Sequence, residues 1–102
     1  MIIVMGHAKL AAGDIDRLTD AMTAMVVATN AEEGCELYCF ARDVTDPDML
    51  IISERWRDQA ALDAHFKAPH MATFNTALAT ATVSALSVKA YENGTVRTLM
   101  GE

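Results

Sequence analysis

Residues 35 to 57, CELYCFARDVTDPDMLIISERWR, constrain the fold more than any other stretch. The run is rich in β-branched and aromatic residues and is broken once, by the Asp-Pro-Asp triplet at 46–48. We read CELYCFARDV as one strand, DPD as the turn and MLIISERWR as the next strand, so that the two pair as a hairpin. On the first strand Cys35, Leu37, Cys39 and Ala41 share one face, and Glu36, Tyr38, Phe40 and Arg42 the other. On the second, Ile51 and Ser53 oppose Leu50, Ile52, Glu54 and Trp56. A sheet with one solvated face alternates cleanly between apolar and polar residues. This hairpin does not, so both of its faces need cover.

The flanking segments supply part of that cover. GDIDRLTDAMTAMVVATNAEEG places Ile15, Leu18, Met22, Met25 or Val26, and Thr29 at helical spacing, with acidic residues in the first turn and Gly34 at the close. After the hairpin, Asp58 caps a short helix through His65 and Phe66, and Pro69 opens a second that runs to about Thr80. MIIVMGHAK and TVSALSVKAYE read as strands, and NGTVRTLMGE as a turn and a tail with some strand character. The order β-α-β-β-α-β predicts one α+β domain over residues 1–102, a ferredoxin-like fold with a four-stranded antiparallel sheet and helices on one face. Strand one is apolar on both faces as far as His7. The sheet's other face is therefore expected to be covered by a second copy, in a homodimer stacked sheet to sheet.

Composition narrows the partners. Hydrophobic residues reach 52%, high for a 102-residue chain with so much surface for its volume, which again suggests a second copy. The net charge is −6, and the eight Lys and Arg never cluster, which excludes a nucleic acid backbone and an anionic membrane surface as partners. The opening segment lacks a basic region before its apolar stretch and is too short to span a bilayer, so a cytoplasmic protein is expected. Cys35 and Cys39 lie roughly 13 Å apart along a strand, too far for a disulfide, and their spacing is not that of a zinc site. Free thiols are expected.

Residues 52–71, ISERWRDQAALDAHFKAPHM, hold the one tryptophan and two of the three histidines. His65 borders the apolar stripe set by Ala61 and Leu62, where a histidine is either a hydrogen-bonded boundary residue or a general base. His70 is either simply exposed at a helix start or orients a substrate. His7, in line with Ile3 and Met5, is either satisfied core or a polar group in a cavity. Trp56 is a packing residue or an aromatic wall for a flat substrate. Glu54 shares its strand face and, as an interior carboxylate, needs pairing; an arginine or a backbone group is the expected partner. There is no phosphate-cradling glycine loop and no nucleophile elbow, and three histidines without an acidic ligand pattern make a weak metal site. No metal and no cofactor are expected.

The run EEGCELYCFARDVTDPDMLIISERWRDQAALDAHFKAPHM resembles antibiotic biosynthesis monooxygenase domains, which are dimeric α+β barrels. The matching features are the acidic-Gly-Cys lead-in, Tyr38, the Asp-Pro turn, Glu54-x-Trp56, Ala61-Leu62 with His65, and Pro69-His70-Met71. The resemblance implies two sheets closing a barrel at the dimer interface, and a substrate cleft between each sheet and its own helices. Haem-degrading members carry asparagine, tryptophan and histidine at positions that here hold His7, His65 and Asn75, so the resemblance does not extend to haem cleavage. The Ala-Leu-x-x-His…Pro-His pattern is similar to that of quinol and polyketide-quinone oxygenases, and to that of a branch that isomerises a phosphorylated hydroxyketone.

The resemblance thus implies a cofactor-independent monooxygenase oxidising a small aromatic phenol, quinol or polyketide-type substrate with O₂. In that reading His65 is the base and His7 the alternate base or oxyanion donor. Trp56, Tyr38, Phe66 and Phe40 wall the site, and His70 orients the substrate. Two alternatives stand beside it. One is an isomerase of a small hydroxyketone, with His65 and His70 shuttling protons; Arg42 and Arg55, on opposite strand parities, offer no phosphate clamp. The other is a non-catalytic small-molecule-binding or stress-response dimer.

Overall fold

Eight elements are present in the computed structural model, which describes residues 1–101. They are β1 (Ile2–Leu10), α1 (Asp14–Arg17), α2 (Thr19–Asn30), β2 (Cys35–Asp43), β3 (Asp46–Trp56), α3 (Gln59–Phe66), α4 (Pro69–Leu78) and β4 (Val83–Tyr91). The strands form one antiparallel sheet in the order β2-β3-β1-β4, the ferredoxin-like arrangement expected from the element order. Strand parity decides the core. Ile2, Val4, Ala8 and Leu10 of β1, Tyr38 of β2, and Leu50, Glu54 and Trp56 of β3 are all buried under the helices. Ile15, Leu18, Met22, Met25, Leu62 and Phe74 meet them from above.

Three local expectations are corrected. The first helical segment is two helices, interrupted at Leu18 (φ −97°, ψ 6°), and α2 stops at Asn30 without reaching Gly34. Asn30 explains the stop: its Nδ2 donates to the Val26 and Tyr38 carbonyls at 2.9 Å, and its Oδ1 accepts from the Tyr38 N–H at 3.1 Å. One amide side chain thus ends the helix and pins the middle of β2 to it. Asp-Pro-Asp at 46–48 is the start of β3 and not the turn. The turn is Val44–Thr45, held by Asp43 Oδ1, which accepts from the Thr45 N–H and hydroxyl, both at 2.7 Å. Beyond Tyr91 the described tail contains no strand.

The sheet's other face carries Met5, Leu37 and Tyr91 as exposed side chains, with His7 among them. β4 is an edge strand whose Leu86 and Val88 pair with Ala8 and Gly6 and remain exposed on the helix side. Among the described residues no helix is long and apolar enough to cross a membrane.

Candidate functional site

Five chain segments meet at one end of the helix-covered face. β2 and β3 pair in a register that sets Cys35 opposite Trp56 and Tyr38 opposite Glu54. The register shifts between Cys35 and Leu37, where Glu36 is the extra residue of a bulge. Gly34 brings the chain into β2 with φ +80°, and a Cβ there would lie 2.5 Å from the Cβ of Ala61. Glycine is therefore required on two counts: backbone conformation and the close approach of α3. Asp58 caps α3 as expected, its Oδ1 accepting from the Ala61 N–H at 2.9 Å. Ala61, Leu62 and His65 then face inward. Pro69 starts α4 and sets His70 in its first turn.

The segment between α2 and β2 contributes the residue that unites these parts. Glu32 Oε2 lies 2.7 Å from His65 Nδ1 and 2.8 Å from His70 Nε2. One carboxylate oxygen accepts from both imidazole rings, which fixes the Nδ1–H tautomer on His65 and the Nε2–H tautomer on His70 when each is neutral. The two rings differ in access. The His65 side chain is 1% exposed, Glu32 15% and His70 24%. His65 is packed among rings, its centroid 4.7 Å from Trp56, 5.4 Å from Tyr38, 5.8 Å from Phe66 and 6.2 Å from His70. A substrate from solvent meets His70 first, with His65 as the inner member.

Glu54 lies in the same interior region. Its Oε1 accepts from the Trp56 indole N–H at 2.9 Å, so its partner is an indole and neither an arginine nor a backbone group. Burial raises the Glu54 pKa; the indole hydrogen bond and His65 oppose that rise. Burial first, then Glu54, Cys35 and Glu32, push the Tyr38 phenol well above its ordinary range. Burial first, then Glu32 and Glu54, also raise the pKa of the half-buried Cys35 thiol.

The structure brings together His65, His70, Trp56, Tyr38 and Phe66 of the residues singled out from sequence. Trp56, fully buried at 0%, and Tyr38 are packed in the core behind His65, whereas Phe66 is 60% exposed on α3. Phe40 reaches the cluster only through Tyr38, with centroids 5.2 Å apart, and instead lines a cavity between α2 and β2. His7 stands apart. It lies on the sheet's opposite face, between Ile51 and Ser87, in a hollow of ≈ 360 Å³ that Lys89 and Tyr91 also line. Within one chain His7 and His65 cannot act on the same atom. Glu32 escaped the sequence reading, although its signal was in the quoted lead-in: an acidic residue two before Gly34, where the chain turns into β2.

Glu32, His65 and His70 also offer one ligand atom each within 4.8 Å of one another, a two-histidine, one-carboxylate set. Two ligands at right angles and ~2.1 Å from one ion lie about 3 Å apart. The 2.7 and 2.8 Å separations are shorter than that and have hydrogen-bond lengths. As arranged, the trio is a hydrogen-bonded relay that can take up a proton at its outer ring and hold the resulting charge beside a carboxylate.

Comparisons with known proteins agree with the fold. A Synechocystis protein of uncharacterized role is 30% identical over 73 residues, 72% of this chain and 50% of its own length. A Mycobacterium tuberculosis protein named as a monooxygenase is 39% identical over 49 residues, 48% of each chain. The chain thus spans about half the length of the curated relatives it matches. A Deinococcus radiodurans crystal structure, assigned to the antibiotic biosynthesis monooxygenases, superposes with a TM-score of 0.88 at 30% identity, covering 99% of this chain and 100% of the other. The family model for antibiotic biosynthesis monooxygenase matches residues 1–77, and the chain belongs to that family.

Proposed function

We propose that the protein is a cofactor-independent monooxygenase of small electron-rich phenols or quinols, and that its base is the imidazole pair held on Glu32. The observation that carries this reading is the shared carboxylate oxygen, 2.7 and 2.8 Å from the two rings. His70 is the ring within reach, and the exposed Phe66 offers an aromatic face beside the cluster. For a phenol with an unsubstituted ring carbon the steps balance without a metal or flavin. His70 takes the phenol proton, and Glu32 stabilises the imidazolium. The phenolate gives one electron to O₂, and the radical pair collapses to a carbon–oxygen bond, leaving a peroxide anion on the ring. Cleavage of the O–O bond with loss of the ring C–H yields the quinone and hydroxide, and the proton held by His70 completes a water molecule. One O₂ is consumed per quinone. The protein's part is the base and the exclusion of water from the radical pair.

The sheet face carrying Met5, 56% exposed, with Leu37 and Tyr91 is read as the contact with a second copy, which would enclose His7. Light scattering of the purified protein should return twice the chain mass, and Met5→Lys should lower it.

The test is oxygen uptake with a panel of phenols, quinols and anthrones. Expected are one O₂ per product, one ¹⁸O atom retained from ¹⁸O₂, and insensitivity to a strong chelator. His70→Ala should slow uptake by about 10²–10⁴-fold. Wild-type rates in both His70→Ala and His65→Ala would remove the pair from the chemistry. A second reading draws on the same relay, since two imidazoles on one carboxylate also suit proton transfer in a hydroxyketone isomerase. Product formed from a hydroxyketone under strict anaerobiosis would favour it.

A further inference from the structure

The cavity of ≈ 310 Å³ between α2 and the β2–β3 edge is separate from the histidine cluster. Met22 and Leu50 are buried at its floor, and Val26, Val27 and Phe40 wall it. None of Glu32, His65 or His70 lines it, and the Phe40 ring has Tyr38 between it and His65. The cavity is an open groove: Thr19, Thr23, Val27 and Arg42 on its walls are exposed to solvent, and the short side chains of α2 leave the space opposite β2 unfilled. Its size is at the lower end for small-molecule sites.

Among the described residues Arg42 is the one charged side chain lining it. The guanidinium donates from Nη2 to Asp16 Oδ1 at 2.6 Å, with Arg42 and Asp16 side chains 40% and 75% exposed. A pair so exposed gains little from its own attraction, and the planar fork has further donors for an incoming carboxylate. An apolar pocket with a single cation at its side selects a ligand with an apolar body and one negative end. The net charge of −6 and the Asp16 carboxylate both work against an incoming anion, so its attraction to the groove comes from the guanidinium donors that Asp16 leaves free.

We propose that this cavity is a second binding site, for a small apolar monocarboxylate whose body lies between α2 and β2 and whose carboxylate engages Arg42. The proposal is independent of the monooxygenase reading, because none of the Glu32, His65 and His70 side chains lines the cavity.

The probes are 1-naphthoate and its neutral counterpart 1-naphthalenemethanol, titrated into the full chain by calorimetry and by methyl NMR. The expected result is naphthoate binding about tenfold tighter than the alcohol, with shifts at the Met22, Val26 and Leu50 methyl groups. Arg42→Gln should erase the difference between the probes while leaving the alcohol's affinity in place. Val27→Trp, at an exposed position that folding tolerates, should block both. Equal affinities for the two probes, shifts centred on Phe66 and His70, or naphthoate binding indifferent to Arg42→Gln would each overturn the proposal. So would the absence of binding at millimolar naphthoate.

Discussion

Glu32→Gln tests the relay where its chemistry and its contribution to stability coincide. The substitution keeps an oxygen that can sit where Oε2 now accepts from His65 and His70, but it removes the negative charge. A hydrogen bond to a charged group contributes about 1.5–3 kcal/mol and a neutral one about 0.5–1.5 kcal/mol, so each bond loses about 1 kcal/mol. Two bonds lose about 2 kcal/mol, with little discount for solvent because both donors and the acceptor are less than a third exposed. For a domain of this length that lowers Tm by about 8–16 °C, measurable by circular dichroism or calorimetry at pH 7. Glu32→Ala should cost more than Glu32→Gln, since it leaves the Nδ1–H of the 1%-exposed His65 ring without its acceptor. Imidazole ¹⁵N spectra supply an independent check, with the proton on Nδ1 of neutral His65. A Tm within 2 °C of wild type for Glu32→Gln, or an Nε2–H tautomer on His65, would refute the shared-oxygen geometry.

Three further outcomes follow from the frame around the cluster. Asp58→Ala removes the cap on the Ala61 N–H and should cost about 1 kcal/mol, a Tm fall of about 4–8 °C in a thermal melt. Gly34→Ala combines a left-handed backbone with a Cβ 2.5 Å from Ala61, so it should destabilise by more than 1 kcal/mol and perturb His65 resonances; an unchanged spectrum would show that α3 yields freely. Glu54 carries a folded-state pKa raised above its unfolded value, so its contribution to stability is fully present below the unfolded pKa and is lost as pH rises through the folded one. Glu54→Gln keeps an acceptor for the Trp56 indole and should raise Tm relative to wild type at pH 8, with the difference vanishing near pH 4. A gap of the same size at both pH values would count against burial as the cause.

The fold was legible because its signals are periodic and local. Strand parity sorted Tyr38, Phe40, Leu50, Glu54 and Trp56 onto one face, and Asp58 and Pro69 marked helix starts by short-range chemistry. What escaped was set by side chains reaching across the fold. No propensity ends α2 at Asn30; the Tyr38 backbone, eight residues on, does so by bonding the Asn30 amide. The Asp-Pro-Asp turn was misplaced because Asp43 and Thr45 close a tighter one just before it. Glu32 was invisible as a site residue for the same reason: His65 and His70 lie 33 and 38 residues away.

His7 shows how far parity carries an argument about chemistry. Its line with Ile3 and Met5 was read correctly as a shared face, yet that face lies across the sheet from His65. A strand residue cannot cross to the other face without a one-residue slip that would turn Val4 and Ala8 out of the core at the same time. Within one chain, the same alternation that builds the core keeps His7 and His65 on opposite faces of the sheet. In the proposed dimer His7 would face the partner's sheet, while the Glu32 relay stays complete within one chain. The two histidines then separate by assay: His7→Ala should weaken association and leave turnover per dimer unchanged, whereas His70→Ala should slow turnover by about 10²–10⁴-fold in an intact dimer. Loss of turnover from His7→Ala with the dimer preserved would place chemistry on the sheet's other face and displace the relay from its proposed role.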